Sequence, residues 1–248
     1  MRNLWTRRIV GATVAVGLAA WSLGAANPLT LPEGNGVAAA DIAFLQKGLS
    51  KQPIPREVPT LKATAMLVAL NAQNQMGGKD GAKMAGLRDA ALEVAAAVGK
   101  KDFAAAKTAA AALNDAKPVS DAKPVKLESM HKFELEELMS TFRKGTVGGL
   151  NLEAEVKAQS KAVTDPKLAA ITAGRVALIG VYTVELPPEG IDAAKKMQWD
   201  AWSKEMTKLA SDVSDEAAKG AAADKAKLAK GFKALDMNCN ACHTVFRN

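Results

Sequence analysis

Apolar residues recur at helical spacing along nearly the whole chain, and no stretch shows the sustained apolar–polar alternation of a half-buried β-strand. For example, Leu87, Ala91 and Val94 fall on one face of a helix predicted over residues 82–98, and Gly99 follows as a stop signal. Aromatic residues, which favour strands, make up only 4% of the chain, whereas 48% of its residues are hydrophobic. This pattern predicts an all-α fold with a substantial core.

The first 26 residues have the layout of a secretory signal peptide. Residues 1–8 carry three arginines and no acidic residue, and residues 9–26 form an uncharged apolar run that ends in small residues. These 18 residues also lie at the lower edge of the length that spans a membrane, so an uncleaved anchor is the alternative. Their many Gly and Ala residues favour cleavage. We therefore expect a periplasmic protein, whose net charge falls from +7 to +4 when the three arginines are removed.

Turn-forming residues divide the remaining chain into two helical halves. Residues 27–40 are a lead-in loop, and residues 41–114 form a first helical domain that contains no cysteine or histidine. Residues 115–126 (DAKPVSDAKPVK) contain the pentapeptide DAKPV twice and are rich in Pro, Lys and Ala, which is typical of a linker. Residues 127–248 form the second domain, which contains both cysteines and both histidines.

Proline and glycine signals give the helix boundaries. Pro59 and Pro166 stand at first-turn positions, where a missing N–H is tolerated. In the first half, helices are predicted over residues 41–51, 59–76, 82–98 and 102–113. In the second half, they are predicted over residues 127–144, 153–163, 166–184, 191–219 and from 222 or 224 to the end of the chain.

The run Cys239-Asn240-Ala241-Cys242-His243 is a C-x-x-C-H motif, the signature of covalent attachment of c-type haem. Two thiols three residues apart on a helix reach the two vinyl groups of one porphyrin, and the adjacent imidazole binds the iron from the same face. A thioredoxin-type redox pair normally follows a strand, and a zinc site would lack a fourth ligand. We therefore expect one covalently bound haem c, with His243 as the proximal iron ligand.

The longer run C-x-x-C-H-x-x-F-R over residues 239–247, almost at the end of the chain, resembles the cytochrome c′ and cytochrome c-556 family. The resemblance covers residues 127–248. It implies an antiparallel four-helix bundle that holds the haem in its core near one end, preceded here by the haem-free helical bundle of the first half. The four implied helices span residues 127–144, 166–184, 191–219 and 222–246.

The resemblance also implies roles for side chains around the haem. Trp202 and Trp199 on the third helix and Tyr182 on the second are candidates to wall the porphyrin, although each could equally be an ordinary core or surface aromatic. Arg247 lies one helical turn after His243, on the same face. It matches the family's arginine beside the proximal histidine, and the alternative is a solvated arginine that favours the helix dipole.

The sixth iron ligand distinguishes the functions within this family. Cytochromes c′ leave the iron five-coordinate and bind NO or CO, whereas the c-556 relatives place a methionine there and carry electrons. In the first helix, His131, Leu135 and Met139 recur every four residues on one face. His131 is our first prediction for the sixth ligand, with Met130 or Met139 as alternatives. A five-coordinate site shielded by Leu135 is the third possibility.

These features predict an exported mono-haem c-type cytochrome that transfers electrons and is not a catalyst. The alternatives are a five-coordinate protein that binds NO or CO, and a peroxidase-like enzyme that uses His131, Glu134 or Glu137 as general acid–base. The haem-free half could also dock a redox partner through its lysine-rich faces. Nucleic acid is not an expected partner, because the basic residues form no stripe. A homodimer is a further expectation.

Overall fold

The computed structural model of the chain describes residues 31–32, 36–127, 130 and 134–246. Within these residues the regular secondary structure consists of nine α-helices and short 3₁₀ turns, without a strand. The all-α prediction is therefore confirmed. The predicted signal peptide of residues 1–26 lies outside the described residues, as do His131 and Arg247.

The first half contains four helices, and α2 is the most deeply buried of them. They are α1 (Val37–Leu49), α2 (Val58–Asn74), α3 (Gly81–Gly99) and α4 (Phe103–Ala111). Every residue of α2 from Leu61 to Ala72 except Lys62 is buried, because α1, α3 and elements of the second half pack around it. The helix α1 begins inside the predicted lead-in loop, and Gly36 precedes it with a left-handed φ of 77°.

The second half contains five helices. They are α5 (Leu135–Met139), α6 (Leu152–Gln159), α7 (Pro166–Val184), α8 (Ala193–Ala217) and α9 (Lys225–Phe246). The helices α7 and α8 pack so closely that a Cβ added at Gly180 would collide with Thr207. The helix α9 packs against α8 and α6. Within the described residues, α7 alone is long and apolar enough to cross a membrane, and most of it is buried inside the fold, as in the core helix of a globular protein.

The helix predicted over residues 127–144 is wrong in extent. Glu134 has an extended backbone (φ −82°, ψ 151°) and is the N-cap of α5, so no continuous helix passes through it. Glu134 and Glu137 form a capping box, in which each side chain accepts a hydrogen bond from the other residue's backbone N–H. After Met139 the chain tightens into a 3₁₀ turn at Ser140–Phe142. This local capping overrides the apolar spacing that predicted a longer helix.

The predicted linker of residues 115–126 is anchored along its length. The backbone N–H of Val119 donates to the carbonyl oxygen of Ala82 in α3 at 2.8 Å. The side-chain amide of Gln73 both donates to and accepts from the backbone of Val125, each at 2.9 Å. A Cβ added at Gly86 would collide with the carbonyl of Lys117, so the segment lies directly against α3.

The two halves share one hydrophobic core, and buried polar contacts join them. Arg175 of α7 places its Nε and Nη2 atoms 2.6 Å from Oδ1 of Asp41 in α1. The hydroxyl of Tyr182 donates to the carbonyl oxygen of Met66 in α2 at 3.1 Å. The halves therefore pack against each other, and their independence as two domains stays a prediction.

The Asp41–Arg175 pair predicts a pH dependence of stability. Burial raises the pKa of Asp41 to about 6, against the opposing effect of Arg175. Since the folded-state pKa is raised, the contribution of this carboxyl to stability is greatest below pH 4 and is lost as the pH rises through 6. Relative to the Asp41→Asn variant, we expect wild type to lose about 2 kcal/mol of unfolding free energy between pH 4 and 7.

Urea unfolding of wild type and variant at steps across this pH range measures the difference. The matched control is Asp80→Asn, at an exposed position. The quantity compared is the unfolding free energy of wild type minus that of Asp41→Asn. If it stays constant or grows as the pH rises, the prediction is wrong.

Candidate functional site

A cavity of about 430 Å³ lies between α9, α8 and the segment that contains α5 and α6. This volume is within the range of small-molecule and cofactor sites, roughly 300–1,000 Å³. The end of α7 and the loop that follows it complete the lining through Thr183 and Pro188. Most of the lining surface is apolar.

The side chains of Cys239, Cys242 and His243 all line this cavity. They occupy positions i, i+3 and i+4 of α9, which places them on one face of the helix. Both cysteines are free thiols, and Cys239 packs against the edge of the hydrophobic core. The three residues of the motif that carry chemistry therefore line one cavity, in which both cysteines are half-buried and His243 is exposed.

Burial raises the pKa of both thiols. The pKa of Cys239 rises to about 12, with further contributions from Asp236 and Cys242, and that of Cys242 rises to about 11. Both thiols are therefore protonated at neutral pH. Redox-active and nucleophilic C-x-x-C cysteines have a lowered pKa instead, so this pair does not have the electrostatics of a thioredoxin-type site.

Three aromatic side chains form one side of the cavity. Phe246 of α9 lies edge-to-face against Trp199 and Trp202 of α8, with ring centroids 5.2 and 5.7 Å apart. The indole Nε1 of Trp199 donates to the carbonyl oxygen of Thr183 at 2.6 Å, which fixes that ring against the end of α7. The amide of Asn238 donates to the carbonyl oxygen of Trp202 at 3.1 Å, which ties α9 to α8 at the level of the cysteines.

The second side comes from α5, its 3₁₀ turn and α6. Leu135, Met139 and Phe142 line the cavity from the first two elements, and Val156 lines it from α6. Met206 of α8 is a further lining residue and is almost fully buried. Among the described lining residues, Met139 and Met206 therefore supply thioether sulfurs.

Four charged side chains at the cavity edge form two pairs of opposite sign. Arg143 lies 3.3 Å from Glu136, with 43% and 85% of their side chains exposed. Lys157 lies 2.6 Å from Glu153, one turn earlier on α6. Exposed pairs of this kind contribute about 0–1 kcal/mol each, so they mark the mouth of the cavity more than they stabilise it.

The predicted site residues fall into three groups. The structure brings Leu135, Met139 and Trp202 to the cavity together with the motif, and Trp199 with them. Met130 is buried elsewhere, and its sulfur lies 3.9 Å from the amide nitrogen of Gln73. Tyr182 bonds the backbone of α2 instead of lining the cavity. His131 and Arg247 lie outside the described residues.

Sequence reasoning missed several wall residues. Phe246 lies three residues after His243, a spacing that already placed it on the same face of α9. Val156 was missed because the predicted bundle left out residues 153–163, whereas α6 packs directly on α9. Met206 carries no local signal, since its position in the cavity depends on the packing of α8.

No protein-family model, curated protein or solved structure matches this chain. Among the described residues, no group of three or more His, Cys, Asp or Glu side chains could hold a metal ion. Any functional assignment therefore depends on the cavity and on the motif that lines it.

The raised thiol pKa values predict slow alkylation in the haem-free chain. At pH 8, we expect Cys242 to react with iodoacetamide about 100-fold more slowly than in the guanidinium-unfolded chain, and Cys239 about 1,000-fold more slowly, because burial depletes the reactive thiolate. The Cys239→Ser and Cys242→Ser variants each leave one thiol for measurement by mass spectrometry. We expect Cys239 to react more slowly than Cys242, and equal rates in folded and unfolded protein would contradict the prediction.

Proposed function

We propose that the chain is an exported mono-haem c-type cytochrome that transfers electrons. The observation that carries this proposal is the convergence of Cys239, Cys242 and His243 on one cavity with aromatic and aliphatic walls. When bound, the haem would supply the redox-active iron. The chain would supply the attachment, an axial ligand and a low-dielectric enclosure, which together tune the reduction potential.

The residues present fit a covalently attached haem. Two free thiols three residues apart lie on one face of α9, next to an imidazole on the following residue. Their raised pKa values suit sulfur atoms that end as uncharged thioethers in an apolar site. The rings of Trp199, Trp202 and Phe246 provide the kind of apolar surface against which a flat macrocycle packs.

We further propose that the second half is a modified bundle of the cytochrome c′ and c-556 type. The helices α7, α8 and α9 lie within residues 166–184, 191–219 and 222–246, the ranges that the resemblance implies for the last three helices of the bundle, which supports this proposal. The place of the first helix is taken by α5 with its 3₁₀ turn, and α6 adds a further wall. This departure supports a distal side that differs from the family's.

Met139 is our proposal for the sixth iron ligand. It lies on the cavity wall, whereas Met130 is packed against Gln73. Leu135 lies on the same wall and would exclude water from the distal side. A thioether ligand favours a low-spin iron suited to electron transfer.

The peroxidase-like alternative has little support from the carboxylates near α5. Glu137 is engaged by Lys62 and by the backbone of Glu134, and neither Glu134 nor Glu137 lines the cavity. Glu136 does line the cavity but is largely exposed and paired with Arg143. A general acid–base in a dry pocket is therefore not among these groups.

The charge distribution supports an acidic redox partner. Residues 41–114 contain ten Lys and Arg against six Asp and Glu, whereas residues 127–248 contain 17 of each. The haem-free half therefore carries the positive charge of the mature chain. Complementary charge mainly accelerates encounter, so electron transfer to such a partner should slow as salt increases.

The first test is covalent haem attachment. In cells that mature c-type cytochromes, wild type should give one c-type haem per chain in a pyridine haemochrome assay. Replacing Cys239 or Cys242 with Ser should abolish the two-thioether product, because each thiol supplies one bond. The matched control, Ala241→Ser, leaves C-x-x-C-H intact and should retain full haem content. Two unmodified thiols in the exported wild-type protein would overturn the proposed function.

The second test is the identity of the sixth ligand. We expect wild type to be low-spin, and Met139→Ala to become high-spin and to bind CO rapidly, because the variant opens the distal position. Met206→Ala, which removes the other described thioether of the cavity, should remain low-spin. A change of spin state in His131→Ala, with Met139→Ala unchanged, would assign the ligand to the histidine. A wild type that is already high-spin would favour NO or CO binding as the function.

A further inference from the structure

We propose that the haem-free half positions the distal wall of the cavity, through a clamp formed by Lys62 and Thr60 of α2 on Glu137 and Ser140. This inference deepens the proposed function and rests on it. It assigns to the first half a role in controlling the haem site.

The wall requires outside support because its helix is short. The helix α5 has five residues and is followed by a 3₁₀ turn of three residues. Isolated helices of this length are unstable in water, since nucleation is unfavourable and few hydrogen bonds offset it. Nevertheless, this segment contributes five cavity-lining residues: Leu135, Glu136, Met139, Phe142 and Arg143.

The opposite face of the same segment contacts α2. The ammonium of Lys62 donates to both carboxylate oxygens of Glu137, at 3.1 and 2.8 Å. The two side chains are only 12% and 23% exposed, so water screens this pair less than a surface pair. Glu137 also accepts the N–H of Glu134 in the capping box. The Glu137 carboxylate therefore caps the start of α5 and also bonds this helix to α2.

A second contact lies one turn further along. The hydroxyls of Thr60 and Ser140 are 2.9 Å apart and buried. Ser140 donates its own proton to the carbonyl oxygen of Glu137, so Thr60 is the donor in this pair. Leu138 is fully buried between these two contacts. The wall is thus fixed at Glu137, Leu138 and Ser140 on one side while Met139 lines the cavity on the other.

The clamp holds α5 in a fixed position because the first half, which contains α2, is itself bonded to α7 of the second half. The hydroxyl of Tyr182 bonds the backbone of Met66 in α2, and Asp41 of α1 binds Arg175 of α7. The helix α7 packs on α8, which carries the tryptophans of the cavity. The distance between the α5 wall and the α8–α9 wall therefore depends on helices of the first half.

The test compares full-length holoproteins that carry Lys62→Met, Lys62→Arg or Lys51→Met. Lys51 belongs to an exposed pair with Glu57 in the same half, so Lys51→Met is a control of matched charge. In Lys62→Met, we expect amides of residues 135–142 to exchange hydrogen about tenfold faster. We also expect about tenfold faster CO uptake by the reduced protein, with a shift toward high spin, because the distal wall loosens. Lys62→Arg should restore wild-type values.

Two outcomes would overturn the clamp. The first is exchange in residues 135–142 that matches the Lys51→Met control. The second is faster exchange in Lys62→Met while its haem content, spectra and CO uptake all match wild type. The contact between Lys62 and Glu137 would then stabilise α5 without affecting the haem site. If Lys62→Met does not fold, Glu137→Gln tests the same contact. A wild type without a haemochrome band would instead overturn the proposed function, and the exchange measurement would still decide whether the clamp exists.

Discussion

The structure depends on one constraint: α9 presents Cys239, Cys242 and His243 on a single face, and a lone helix cannot enclose that face. The enclosing walls come from α8 and from the α5–α6 segment. In turn, α8 is held by α7, through the close approach at Gly180 and the indole hydrogen bond to Thr183. The surroundings of the motif are thus built from helices whose positions depend on contacts far from it.

The polar contacts between the halves determine how the helices pack more than they increase the free energy of unfolding. Asp41 is fully buried, and its Oδ2 atom has no hydrogen-bond partner among the described residues. Desolvation of this carboxyl outweighs its attraction to Arg175, so its pKa is raised. Separating the pair would leave a buried charge without compensation. The contact therefore disfavours any packing in which α1 slides along α7.

The parts of the fold that sequence reasoning predicted are those that local signals determine. The range of α7 was predicted correctly, because Asp165 caps the helix and Pro166 occupies its first turn. The placement of Cys239, Cys242 and His243 on one face of α9 followed from helical spacing alone. In contrast, the extent of α5 depends on a capping box of two glutamates, which lacks the usual Ser or Thr.

Other features depend on residues that lie far apart in the chain. Tyr182 was a candidate for the haem wall, yet its hydroxyl bonds Met66, 116 positions away. Spacing could not separate Met130 from Met139, because only the packing of α2 and α5 places one against Gln73 and the other in the cavity. On the proposed function, thioether bonds from α9 would retain the haem whatever the distal wall does, so retention and reactivity would be controlled by different parts of the chain. The first half would then set the α5 wall without risk to haem binding.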